Sequence, residues 1–167
     1  ELGDLVRGLQ PTAISVGSRA SYGPSQAPVT VVVFADFECA HCALEAPRLR
    51  KAIDAANGKA RLVYKHYPLS HHAAAKRAAD ASEAVFAQNP NAFWDFQAWI
   101  FEQQRDLFAD PAALDGKLRA RADKLGIDLA RYDSWVKDQR GRSMVESDHA
   151  DGRRAGVTGT PAIFVNG

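Results

Sequence analysis

The sequence predicts an α/β fold: a β-α-β beginning, a long all-helical stretch, and a return to strand near the end. Three observations carry this expectation. A β-branched run, Val29-Thr30-Val31-Val32-Val33-Phe34, lies between Pro28 and the polar Asp36, and a second run, Arg61-Leu62-Val63-Tyr64-Lys65, is closed by Pro68. From His71 to about Ala155 the apolar residues recur only at helical spacing. Strand signals return at Ala162-Ile163-Phe164-Val165.

Taken in order, residues 1–28 form a lead-in ending in the turn-rich Ser21-Tyr22-Gly23-Pro24-Ser25-Gln26-Ala27-Pro28. The first strand reads as buried, because a continuous β-branched run suits a sheet covered on both faces. A helix follows through Leu44, Leu49 and Ile53 and stops near Asn57-Gly58, a pair that tolerates left-handed backbone. The second strand has the right distance from the first for a right-handed crossover. Its terminal Lys65 reads as exposed.

The helical stretch divides by its stripes. Ala74, Ala78, Ala81 and Val85 share one face whose small side chains suit close packing; Phe93, Phe96 and Ile100 share another, flanked by Trp94 and Phe101. Asp110-Pro111 reads as a cap and first turn before Leu114, Leu118, Ala122 and Leu125, ending at Gly126. Asp128 caps a helix bearing Leu129, Tyr132, Trp135 and Val136, and a weaker helix spans roughly Arg142–Arg154. These aromatics read as core. Asn166-Gly167 after the last strand is a hairpin-turn signal.

Composition narrows the function. The 167 residues include 46% hydrophobic, enough for a core, and 21 Lys plus Arg oppose 20 Asp plus Glu for a net charge of +1. With no basic stripe and no apolar run of spanning length, neither nucleic acid nor a membrane span is expected. Nothing near Glu1 reads as an export signal.

Both cysteines fall in one run, Cys39-Ala40-His41-Cys42, between the first strand and the helix. A thiolate is the reactive form of cysteine, and a helix N-terminus stabilises it through unpaired backbone N–H groups and the helix dipole. One cysteine is then expected exposed, with its partner one turn behind. His41, inside the run, is a candidate for stabilising the Cys39 thiolate. Cys-x-x-Cys also forms half of a zinc site. No cysteine remains for the other half, and His66, His71, His72 and His149 lack the pair spacing of a second half-site on one helix, so no metal is expected.

Pro47 inside the helix, Phe34-Ala35-Asp36-Phe37-Glu38 leading into the cysteines, Tyr64-Lys65-His66-Tyr67-Pro68-Leu69, and Gly156-Val157-Thr158-Gly159-Thr160-Pro161 before the last strand form a combination. Together they resemble the thioredoxin superfamily, and more closely the DsbA-like thiol–disulfide oxidoreductases. The resemblance runs from about residue 28 to the end. It implies a thioredoxin-like domain over 29–70 and 156–167, an inserted helical domain over 71–155, and a final strand and helix that are apparently lacking here. It also implies that Cys39 is the nucleophile, that Cys42 resolves the mixed disulfide, and that Pro161 is cis with Thr160 facing the cysteines to pair with substrate.

Two features depart from the family. Ala40 stands where many relatives have proline, and Val33 stands where thioredoxin-like enzymes often bury a carboxylate. Proton transfer at Cys42 then falls to water or to a nearby acid, Asp36 or Glu38, although both also read as ordinary solvated turn residues; His66, His71 and His72 are given no catalytic role. The resemblance implies an exported enzyme of the periplasm or cell envelope that exchanges disulfides with protein thiols, uses no cofactor, and is recycled by an unidentified redox partner. The oxidase direction is favoured because the Ala-His dipeptide supports the thiolate. Reductase and non-catalytic binding or metal module are the alternatives.

Overall fold

In the computed structural model, residues 14–166 are described. Strand β1 (Ser21–Tyr22) is followed by β2 (Val29–Ala35), helix α1 (Ala40–Ala55) and β3 (Ala60–His66). Helices α2 (Ala75–Phe86), α3 (Pro90–Glu102), α4 (Gln104–Phe108), α5 (Leu114–Lys124), α6 (Leu129–Lys137) and α7 (Arg142–Arg154) follow without interruption by strand, and β4 (Ala162–Val165) comes last. The sheet order is β1-β3-β2-β4. β2 and β3 run parallel with Val33 opposite Tyr64, while β4 is antiparallel to β2 with Ile163 opposite Val33. β1, for which the sequence gives no strand signal, pairs antiparallel with β3 through Ser21 and Tyr22. The lead-in residues 1–13 and Gly167 lie outside the described residues.

Alternation along β2 and β3 sends side chains to two buried faces. Val33, Ala35, Leu62 and Tyr64 join a core with Cys42, Ile53, Phe93, Phe96 and Ile100. Val32, Phe34, Val63 and Tyr67 form a second cluster with Val157 on the opposite face. Burial on both sides is the reason these strands read as continuous apolar runs. The expected helical stripes are buried as well: Phe93, Phe96, Ile100, Leu114, Leu118 and Ala122 are all essentially inaccessible.

Helix ends follow their local chemistry. Asn57 and Gly58 adopt positive φ after α1, and Gly126 does so after α5. Asn89 caps α3 through its side-chain oxygen, with Pro90 at the first turn, and Asp128 caps α6 by accepting from the Arg131 N–H. Asp110 accepts from the N–H groups of Ala112 and Ala113, but this turn precedes the regular helix, which starts at Leu114. Gly152 in α7 is closely surrounded by aromatic rings. A Cβ there would meet the Tyr67 ring at 2.6 Å, so only glycine lets α7 lie this close to the sheet. His149, on the same helix, stacks on Tyr67 with ring centroids 4.3 Å apart.

Lys65 corrects the sequence reading. It is 2% exposed, not a solvated strand end, because β3 passes beneath α7 and its ammonium is taken up by Asp148 at 3.1 Å and by Asp151. Asp148 is fully buried and also accepts from Arg19 Nε at 2.8 Å and from the His66 N–H at 3.1 Å. One carboxylate therefore joins the segment before β1, the end of β3, and α7. A charge buried this way is costly when its partner is removed. Replacing Asp148 with Ala should cost about 3–5 kcal/mol in urea denaturation, because it breaks the buried pairs with Lys65 and Arg19 together and leaves Lys65 with Asp151 alone. Replacing Asp133, whose pair with Arg119 is about half exposed, should cost under about 1 kcal/mol.

Candidate active site

β2 ends at Ala35, and a short turn carries the chain into α1, with the Cys39 N–H bonded to the Asp36 carbonyl at 3.1 Å. Cys39 occupies the N-cap position with extended backbone (φ −76°, ψ 116°) and no side-chain cap bond. Its sulfur is thus held at the end of a helix whose first N–H groups lack intrahelical acceptors. The expectation of an exposed Cys39 needs correction: the residue is 6% exposed, and its thiol donates to the Thr160 carbonyl at 3.3 Å. What remains accessible opens on a cleft of about 480 Å³ whose walls include Cys39, His41, His72, Gly159 and Thr160.

Thr160 reaches this position from 121 residues away in sequence. Antiparallel pairing of β4 with β2 puts the segment before β4 beside the end of β2, and the Thr160–Pro161 peptide bond is cis. Pro161 and Thr160 are both partly buried, and Thr160 Oγ1 is buried without a close hydrogen-bond partner.

Cys42 lies one turn into α1 and is 2% exposed. Its sulfur accepts from the Asp36 N–H at 3.5 Å. Burial pushes its thiol up to about 12; the Asp36 N–H opposes that shift without cancelling it. Both cysteines are free thiols. His41 is exposed on the cleft wall, and no hydrogen bond joins it to either sulfur among the described residues. The acid position occupied by Val33 is filled by apolar packing, and its register partner Tyr64 keeps a buried hydroxyl with no partner.

Asp36 and Glu38 are not solvated turn residues. Asp36 is 2% exposed; one carboxylate oxygen accepts from the Glu38 N–H at 2.7 Å, the other from the Leu69 N–H at 2.6 Å and from His72 Nδ1 at 2.8 Å. Glu38 accepts from the Ala74 N–H at 2.8 Å, anchoring the start of α2. The helical stretch touches the site a second time through Gln104, whose amide donates to the carbonyls of Phe37 at 2.7 Å and Cys39 at 3.0 Å. Sequence reasoning missed Gln104 and His72. A lone glutamine in a helical run carries no local signal, and His72 gains its place only through the fold.

A thiol pair at a helix start, faced by a cis-proline loop on a mixed sheet, defines a class of protein. The chain belongs to the thioredoxin family, whose model matches residues 15–167, and within that family to the DsbA-like thiol–disulfide oxidoreductases. It is 30% identical over 166 residues to disulfide bond formation protein D of Bacillus subtilis, covering 91% of this chain and 69% of that protein. The oxidised crystal structure of BdbD from Bacillus subtilis superposes with a TM-score of 0.76 at 27% identity, covering 91% of this chain and 83% of that one. Pseudomonas aeruginosa DsbA2 gives 0.69 at 29% identity, covering 88% and 79%. The chain is also 38% identical over 146 residues to the Na(+)/H(+) antiporter NhaA 3 of Salinispora tropica, covering 87% of this chain and 21% of that protein. It thus spans about a fifth of the length of the first curated relatives it matches. No described helix is long and apolar enough to cross a membrane.

The raised Cys42 pKa has a pH signature. A thiol held protonated by the fold contributes stability that is fully present below the unfolded value of about 8.5. That contribution is lost as pH rises toward about 12, the folded value. The reduced protein should lose stability across this alkaline window, and Cys42→Ala should flatten the loss in denaturation curves between pH 8 and pH 10.

Proposed function

We propose that this chain is a thiol–disulfide oxidoreductase acting on protein substrates, and that its net direction is oxidation. The single observation that carries the reading is the Cys39 sulfur at the start of α1, 3.3 Å from the Thr160 carbonyl, with Cys42 buried behind it. The arrangement offers an extended substrate the backbone of Thr160 for strand-like pairing beside the reactive sulfur.

In the oxidising direction the enzyme starts with a Cys39–Cys42 disulfide. A substrate thiolate attacks Cys39 Sγ; the enzyme disulfide breaks, and its electron pair leaves on Cys42, which takes up a proton. A second substrate thiolate then attacks the substrate sulfur of the mixed disulfide, releasing Cys39 as thiolate. The substrate dithiol is oxidised and the enzyme disulfide reduced, with two protons released by the substrate and up to two taken by the enzyme. The high pKa of Cys42 keeps the resolving thiol neutral once reduced. His41 supports the Cys39 thiolate from the cleft wall. A separate redox partner then returns the enzyme to the disulfide, and the oxidising compartment this requires is the periplasm or cell envelope.

Cys39→Ser should abolish exchange with a dithiol peptide, whereas Cys42→Ser should accumulate mixed disulfides through Cys39, visible on non-reducing gels. Mixed disulfides trapped through Cys42 instead would reverse the assignment. Equilibration with glutathione decides direction. An oxidase should lie near the range of strong oxidants, about −120 mV, and a reductase near about −270 mV. In the oxidase case the reduced form should also resist denaturant better than the disulfide form.

A further inference from the structure

The cleft beside Cys39 holds a second constellation that the sequence did not assign. His72 lies in the loop between β3 and α2, lines the same cleft as Cys39, and has a side chain 20% exposed. Its Nδ1 is 2.8 Å from Asp36 Oδ2, on a carboxylate with no exposed surface. That carboxylate already accepts two backbone N–H groups, so Nδ1 serves as the donor, and in the neutral imidazole Nε2 is then the acceptor. The backbone N–H of the same Asp36 is bonded to Cys42 Sγ. A single residue therefore fixes both the resolving sulfur and an imidazole on the wall of the cleft where substrate thiols would arrive.

We propose that His72, oriented by Asp36, is the general base that takes the proton from the attacking substrate thiol. The proposal rests on the thiol–disulfide exchange described above and deepens it. In the first step the substrate S–H proton passes to His72 Nε2, the substrate sulfur bonds to Cys39 Sγ, and the Cys39–Cys42 bond breaks onto Cys42. His72 then releases its proton to the solvent, and the Cys42 thiolate takes up one proton from water to end as a thiol, so that the step releases no net proton. A base poised by a buried carboxylate is a recurring solution to proton transfer near neutral pH, because the carboxylate selects the tautomer and steadies the imidazolium. Asp36 acts through His72 and is a positioning residue. The other titratable groups beside this imidazole are His71, with its ring centroid 4.3 Å away, and His41 and Cys39, which line the same cleft.

The test is a pH profile of dithiol-peptide oxidation by the disulfide form, comparing wild type with His72→Gln. A free thiol ionises at about pH 8.5, so a base matters below that value and becomes superfluous above it. His72→Gln should lose about tenfold or more in second-order rate near pH 7, where the imidazole is available as a base and the substrate thiol is still protonated, and converge with wild type near pH 9. Asp36→Asn, which keeps an acceptor oxygen but removes the charge, should show a smaller deficit of the same pH dependence. A loss that is equal at all pH values would mean a merely structural role and overturn the proposal, as would an unchanged profile in His72→Gln. If wild type itself fails to oxidise the peptide, the oxidase reading falls instead. Should His72→Gln not fold, Asp36→Asn decides by the same criterion.

Discussion

The carboxylate of Asp36 is the constraint on which the site depends. It is buried at the point where β2 leaves the sheet, and its oxygens are satisfied by the Glu38 and Leu69 N–H groups and by His72. A buried carboxylate tolerates neither loss of these donors nor movement away from them, since desolvation must be offset by hydrogen bonds. The turn that presents Cys39 and the loop that follows β3 are thereby locked to each other. The adjoining Glu38 extends the lock to the first turn of α2. With the turn fixed, the N–H of Asp36 is available to the Cys42 sulfur, and α1 starts where Cys39 faces the loop before β4.

A second buried carboxylate, Asp148, does comparable work at a distance from the chemistry. It gathers Arg19, Lys65 and the His66 N–H, tying α7 to the strand end from which the His72 loop departs. Next to it, His66 Nε2 bonds Glu83 at 3.0 Å, joining β3 to α2 as well. The polar interior thus follows one seam, where the ends of the strands meet the helical stretch. Buried ion pairs are weak evidence for stability but leave few alternative arrangements for the elements they join. The apolar faces around the seam supply the bulk of the burial, and the seam determines which helix lies where.

Much of this was legible in the sequence, and the reasons are local. The strands β2, β3 and β4 announced themselves by β-branched content, α1 by its Asn57-Gly58 stop, and α5 and α6 by Gly126 and Asp128. The thiol pair was legible as a short motif, and the Thr160-Pro161 loop only through the resemblance to the DsbA-like family. What sequence hid was long-range. Ser21 and Tyr22 form a strand only because β3 offers an unpaired edge. Lys65 reads as a solvated strand end until α7 brings two acids over it, and Asp36 reads as a turn residue until Leu69 and His72 close around it. The accessibility of Cys39 was overestimated for the same reason: helix-start geometry says nothing about a carbonyl arriving from residue 160.

The bond pair made by Gln104 has a mechanical consequence. Its amide reaches the two carbonyls that flank the approach to α1, so the helical stretch grips the main chain of the reactive turn rather than only its side chains. Each such bond is worth on the order of 1 kcal/mol net, a load small enough for an arriving protein surface to overcome and large enough to hold when none is present. A partner that levered α4 outward would slacken the turn beneath Cys39, while one that pressed α4 inward would stiffen it. The sulfur would then report, through its backbone, on what is bound some residues away.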